Sequence, residues 1–156
     1  MSEITPANIA ADIVVDRCLA IIQDKTNYVA PATPAIALAP EERAKLGLSG
    51  DSETYFYGAG DTGVFLDLAP KMLMVWFNGG DCDKGLELLD RKLKQVYPRT
   101  RQIGDIETPA TPGTRGRMYE VDLSGGLLAW IEANYPAPGS KARKFTVRIE
   151  PRKRSA

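Results

Sequence analysis

Tyr119-Glu120-Val121-Asp122-Leu123-Ser124-Gly125-Gly126-Leu127 is the stretch whose reading decides the fold. Tyr119, Val121 and Leu123 alternate with Glu120 and Asp122, which is the two-residue period of a strand with one dry and one wet face. The glycine pair that follows is a hairpin signal leading into a strand over 127–135. Alternation returns downstream, where Phe145, Val147 and Ile149 oppose Lys144, Thr146 and Arg148. Strands wetted on one side are characteristic of antiparallel sheets, so the expectation is an α+β two-layer sandwich, mainly antiparallel sheet with helices packed on one face.

Upstream of this region the texture is aromatic and β-branched, broken by glycine, and residues 54–57, 64–66 and 72–77 read as three strands. Asn78-Gly79-Gly80 then turns the chain, Leu86, Leu89, Leu93 and Val96 recur along one helical face, and Pro98 ends that helix. Asp81 or Asp83 is expected to cap it, because a carboxylate satisfies free N–H groups and suits the positive helix end. Thr5-Pro6 opens an N-terminal helix predicted over 5–25, with Ile9, Ile13, Cys18, Ile21 and Ile22 on one face. Prolines make 28–40 an extended connection, and a short helix follows from near Pro40 to Gly47. The segment 107–117, rich in proline, threonine and glycine, reads as a long loop between strands, and 151–156 as a basic, frayed terminus. Everything belongs to one domain, 1–156.

At 156 residues with 44% apolar and 26% charged residues, the chain can bury about two thirds of its unfolded surface without a disulfide or structural metal. Cys18 and Cys82 fit neither a redox pair nor a zinc site, which predicts reduced thiols. Met1-Ser2-Glu3-Ile4-Thr5-Pro6 lacks a basic, then apolar, leader, and the longest apolar run, 72–77, is too short to span a bilayer. The expectation is a cytoplasmic protein with no membrane contact. Net charge is zero, yet residues 1–98 carry 9 Lys/Arg against 14 Asp/Glu (−5) while 99–156 carry 11 against 6 (+5). Such asymmetry points to a partner surface and, by self-complementarity, to a homo-oligomer.

Several chemistries are excluded at once by the absence of histidine, among them Ser-His-Asp and Cys-His nucleophile systems. Gly58-Ala59-Gly60-Asp61-Thr62-Gly63 fits the G-x-G-x-x-G spacing of a dinucleotide loop, but Val64 and Pro70 leave no room for the helix that would hold a pyrophosphate. It reads instead as a turn between paired strands. Asp81-Cys82-Asp83 resembles the Asp-x-Asp of haloacid dehalogenase-like phosphatases, and Gly79-Gly80-Asp81 the Gly-Gly-Asp of diguanylate cyclases. In the first motif the aspartate ends a strand, whereas Asn78-Gly79-Gly80 intervenes here; in the second a hairpin follows, whereas helically spaced leucines follow here. Cys82 at a helix start would be an activated thiolate only without two flanking carboxylates.

What survives is a surface. Trp130 shares the wet side of its strand with Glu132 and needs a partner, while Arg115, Arg117, Lys144 and Arg148 form a candidate basic patch. The sequence therefore favours a non-catalytic binding or protein-interaction domain with no cofactor. Two alternatives stand beside it: a nucleic-acid-associated protein using the basic C-terminal half as an anionic-partner site, and a small metal-dependent enzyme using Asp61, Asp81 or Asp83.

Overall fold

The computed structural model describes residues 4–24, 34–48, 52–59, 62–69, 71–106 and 112–153. Thr5 opens the first helix as its sequence requires: its Oγ1 accepts a bond from the Asn8 amide at 3.3 Å and Pro6 takes the first helical position. α1 (Pro6–Asp12) continues through a π-helical stretch, Ile13–Cys18, into α2 (Leu19–Ile22). Then come β1 (Ala35–Ala37), α3 (Pro40–Lys45), β2 (Glu53–Ala59), β3 (Thr62–Leu68) and β4 (Leu73–Asn78). A 3-10 turn, Cys82–Lys84, leads into α4 (Gly85–Val96), and β5 (Thr100–Ile106), β6 (Thr114–Ser124), β7 (Leu127–Pro136) and β8 (Lys144–Lys153) complete the chain.

The eight strands of the described residues join one antiparallel sheet in the order β1-β2-β3-β4-β8-β7-β6-β5. The fold is α+β, and each half of the chain contributes a four-stranded meander. The last strands of the two meanders, β4 and β8, pair at the centre, from Leu73↔Ile149 to Asn78↔Lys144. Among the described residues no helix is long and apolar enough to cross a membrane.

Core side chains follow strand parity. Tyr57, Val64, Leu66, Val75, Val147, Ile131 and Tyr119 occupy one side of the sheet by register, and they share a single buried cluster with Ile9, Ile13 and Val14 of the N-terminal helix and Leu89 and Leu93 of α4. Lys92 ties the two helices together, its ammonium bonded to Asp12 and, at 2.6 Å, to Asp16. Close approach explains one glycine: a Cβ on Gly85 would fall 2.7 Å from the Phe145 ring, so α4 starts pressed against β8.

The short α3 does not join that layer, and the expectation of helices on a single face does not extend to it. None of its residues is buried, so it has no apolar stripe to place in the core. Arg43 anchors it instead to the opposite parity: Nε donates to Thr54 Oγ1 at 3.1 Å, and Thr54 Oγ1 donates in turn to Asp67 at 2.8 Å.

Three expectations change in detail. Part of the proline-rich connection, Ala35–Ala37, pairs with β2 as an edge strand, while 28–33 lie outside the described residues. β6 already begins at Thr114, which shortens the expected loop; 107–111 lie outside the described residues. Pro151, Arg152 and Lys153 of the expected frayed terminus pair with Ala129, Leu128 and Leu127, because β7 is long enough to offer partners. The glycine-rich segment joins paired strands as expected: Gly58 pairs with Gly63 and Ala59 with Thr62 across an antiparallel hairpin, with the tip at 60–61, Asp61 included, outside the described residues. A Cβ on Gly63 would lie 2.1 Å from the Phe56 ring, which is a packing reason for that glycine.

Candidate functional site

On the side of the sheet opposite the main core, the register lays residues in rows across the strands. One row is Phe56, Phe65, Trp76 and Thr146, with Phe65 and Trp76 stacked at 5.2 Å between ring centres. The next is Met74, Arg148, Glu132 and Met118, and the one after it Glu150, Trp130, Glu120 and Arg101. Cross-strand neighbours of opposite charge meet directly, so Arg148 pairs with Glu132 at 3.0 Å and Arg101 with Glu120 at 2.7 Å.

Three hollows follow one another along this surface. The first, 360 Å³, lies between the end of α3 and β4–β8, with Leu46, Met74, Trp76 and Lys144 on its walls. Arg148 divides it from the second, 230 Å³, where Met72 and Met118 flank Glu132. Trp130 and Arg152 divide that from the third, 710 Å³, which opens toward Arg99, Arg101 and Lys153. Together they make a trough whose spine is the outward row of β8, from Lys144 through Arg148 to Arg152. Every methionine beyond Met1 lines it, as do both tryptophans.

Trp130 is half-buried and already engaged. Its indole N–H donates to Glu120 at 3.2 Å and the Arg152 guanidinium lies 4.3 Å from its ring centre. Lys144 and Arg148 stand on the same face. Arg115 and Arg117 do not: they share the parity of Tyr119, and Arg117 borders a separate 660 Å³ hollow beside Asp83, Glu87 and Asp90 of the α4 region. The five basic and aromatic candidates therefore divide three to two between opposite sides of the sheet. The alternation that places Tyr119 inward already assigns Arg115 and Arg117 to its side, so this division was readable from residue spacing. The methionines carry no such signal, because Met72 and Met74 sit in an unbroken apolar run where no polar residue marks the outward positions.

Arginines of the basic half are mostly neutralised locally. Besides Arg148 and Arg101, Arg117 pairs with Asp105 at 3.2 Å, Arg152 with Glu150 at 2.9 Å and Arg99 with Asp122 at 3.5 Å. Lys144 and Lys153, at the two ends of the trough, take part in no ion pair among the described residues.

Asp81 caps a helix, though not the expected one. Neither Asp81 nor Asp83 makes a side-chain cap bond to the helix that follows. Asp81 Oδ1 accepts instead from the Ala7 amide at 2.9 Å, closing the first turn of α1 from a distance of 74 residues. A Cβ on Gly80 would lie 3.0 Å from Pro6, so the turn before Asp81 runs close to the start of α1. Cys82 beside it is buried, and burial, with the neighbouring Asp83 and Asp81 charges, pushes its thiol up against a lowering contribution from Arg143. Burial and the bond donated to Asp90 at 2.8 Å likewise hold the Tyr119 hydroxyl well above its ordinary value. Among the described residues no three Cys, Asp or Glu side chains stand together as a metal-binding group. Compared with protein-family models, with curated proteins and with solved structures, the chain matches none.

Proposed function

We propose that this chain is a cytoplasmic, non-catalytic protein-interaction domain whose binding surface is the trough on the Trp76 side of the sheet. With α1 and α4 packed on the Val75 side, the outward side keeps two tryptophans and three methionines among ion pairs. One observation carries the reading: Met72, Met74 and Met118 converge on the same surface from two strands and a connecting turn. Methionine is flexible and polarisable, and it is concentrated where a surface must mould itself to a partner. Paired charges around such a core form a polar rim. The anionic partner anticipated for the basic half becomes, on this reading, an acidic protein segment. A nucleic acid needs unpaired cations to displace counterions, and five arginines of this half are occupied by carboxylates.

The test is to select binders for the full chain from a displayed library of random 20-residue peptides and map them by methionine methyl resonances. Binders are expected to move Met72, Met74 and Met118 together and to change tryptophan emission. Trp130→Ala is expected to weaken them by tenfold or more while the protein stays folded. Selected peptides that leave all three methyls unmoved would overturn the reading.

A further inference from the structure

Resting on the reading above, we infer that the trough takes an amphipathic helix with an apolar stripe and acidic residues toward both ends. Length, backbone chemistry and charge each narrow the occupant. Lys144 and Arg152 are eight residues apart on β8, which at roughly 3.3 Å per residue gives a trough about 26 Å long. A helix rising 1.5 Å per residue covers that in about 17 or 18 residues.

An extended segment suits the surface less well. Sheet main-chain groups along β4, β8, β7 and β6 already bond to one another, so a strand laid on the face finds nothing for its own N–H and C=O groups. Extended partners add at an edge instead, and the β5 edge is kinked by a register shift between Gln102 and Gly104. A helix brings its backbone bonds with it. The other side of this same sheet is covered in that way, by α1 and α4.

Charge then orders the ends. The middle hollow is balanced, with Arg148 and Arg152 against Glu132 and Glu150 around Met72, Met118 and Trp130. Beyond these pairs the hollow beside α3 adds Lys144, with no carboxylate among its described lining residues, while the far hollow adds Arg99, Arg101 and Lys153 against Glu120 and Asp122. A positive end, a neutral apolar middle and a second positive end complement an acidic, apolar, acidic helix. Among the described residues, Lys144 and Lys153 are the trough cations that take part in no ion pair.

Three synthetic 18-residue peptides test this against the full chain: one with a leucine and methionine stripe at helical spacing and glutamates at both ends, one with the same composition and the stripe scrambled, and one with lysines replacing the glutamates. The first is expected to bind, gain helicity by circular dichroism, shift the Met72, Met74 and Met118 methyls, and weaken at least tenfold between 0.05 and 0.5 M salt. Lys144→Glu combined with Lys153→Glu is expected to weaken it at least tenfold, and Lys144→Ala with Lys153→Ala by less, both with unchanged melting. Equal binding by the scrambled peptide would overturn the helix, and equal binding by the lysine peptide would overturn the charge assignment. Self-association through this face, blocked by Trp130→Ala in sedimentation, would make a second copy the occupant and overturn the proposal. If all three peptides fail while library-selected binders still move the methyls, the helical partner is wrong and the interaction surface stands.

Discussion

Asp81 shows how one carboxylate does a different job from the one its neighbourhood suggests. Local sequence places it at the start of α4, yet its oxygen accepts the Ala7 amide of α1, so its loss is felt 74 residues away. Asp81→Ala is expected to cost about 0.5–2 kcal/mol, the usual range for a lost helix cap. Amide exchange locates the effect: protection should fall at Ala7 and Asn8, while loss confined to 85–88 would return the cap to α4. Titrating side chains supply a second residue-scale prediction. Burial pushes the Cys18 thiol up to about 12 from an ordinary 9.0, against a lowering contribution from Arg17. Above pH 9 the unfolded chain releases this proton and the native state keeps it, so stability falls as pH rises, by about 1.4 kcal/mol per unit for one such group. Tyr119 adds the same sign from its ordinary 10.0 upward. Lys92 does so above 10.5, where the Asp12 and Asp16 bonds outweigh the lowering effect of burial. Urea denaturation at half-unit steps from pH 8 to 11 should show the decline, and Cys18→Ala should flatten its first part. An unchanged slope in that variant would remove Cys18 as the cause.

Elements were legible where a single local pattern governs them. Strands β6, β7 and β8 follow from alternation, α4 from leucine spacing, and the start of α1 from Thr5-Pro6, because each pattern reports burial of one face of one element. Two features escaped that logic. β1 forms because Ala35, Ile36 and Ala37 meet Tyr57, Phe56 and Tyr55 in register, a pairing set by β2 and invisible in the proline-rich segment itself. α3 lies on the other side of the sheet because Arg43 reaches Thr54 and Ser52, and a helix with no buried residue carries no stripe from which to read its face. The candidate trough was legible in fragments for the same reason. Trp130, Lys144 and Arg148 stand on strands with clear alternation, whereas Met74 and Trp76 lie in a run where both faces are apolar. Only the register of β4 against β8, Met74 opposite Arg148 and Trp76 opposite Thr146, brings them onto one surface.

For the molecule as a whole, the pairing of β4 with β8 makes the two oppositely charged halves of the chain depend on each other. Residues 99–156 hold β5 to β8 without α4, so the side bearing Tyr119, Val121, Ile131, Val147 and Ile149 has no helix to cover it. Residues 1–98 hold α4 without the strands it meets through the Tyr119 to Asp90 bond and the contact of Gly85 with Phe145. Each fragment leaves part of one common core in water, and neither is expected to melt cooperatively alone. Mixed, they should rebuild the eight-stranded sheet, since the six register pairs of β4 and β8 and the facing apolar surfaces need no covalent link at 98–99. Charges of −5 and +5 should speed their encounter. The association rate is therefore expected to fall several-fold between about 0.05 and 0.5 M salt, as screening shortens the reach of the opposing fields below about 10 Å. Stopped-flow mixing followed by tryptophan emission measures this directly, with Trp76 in one fragment and Trp130 in the other. Cooperative melting of either fragment alone would mean two folding units instead of one domain, and a rate indifferent to salt would leave the charge asymmetry without a part in assembly.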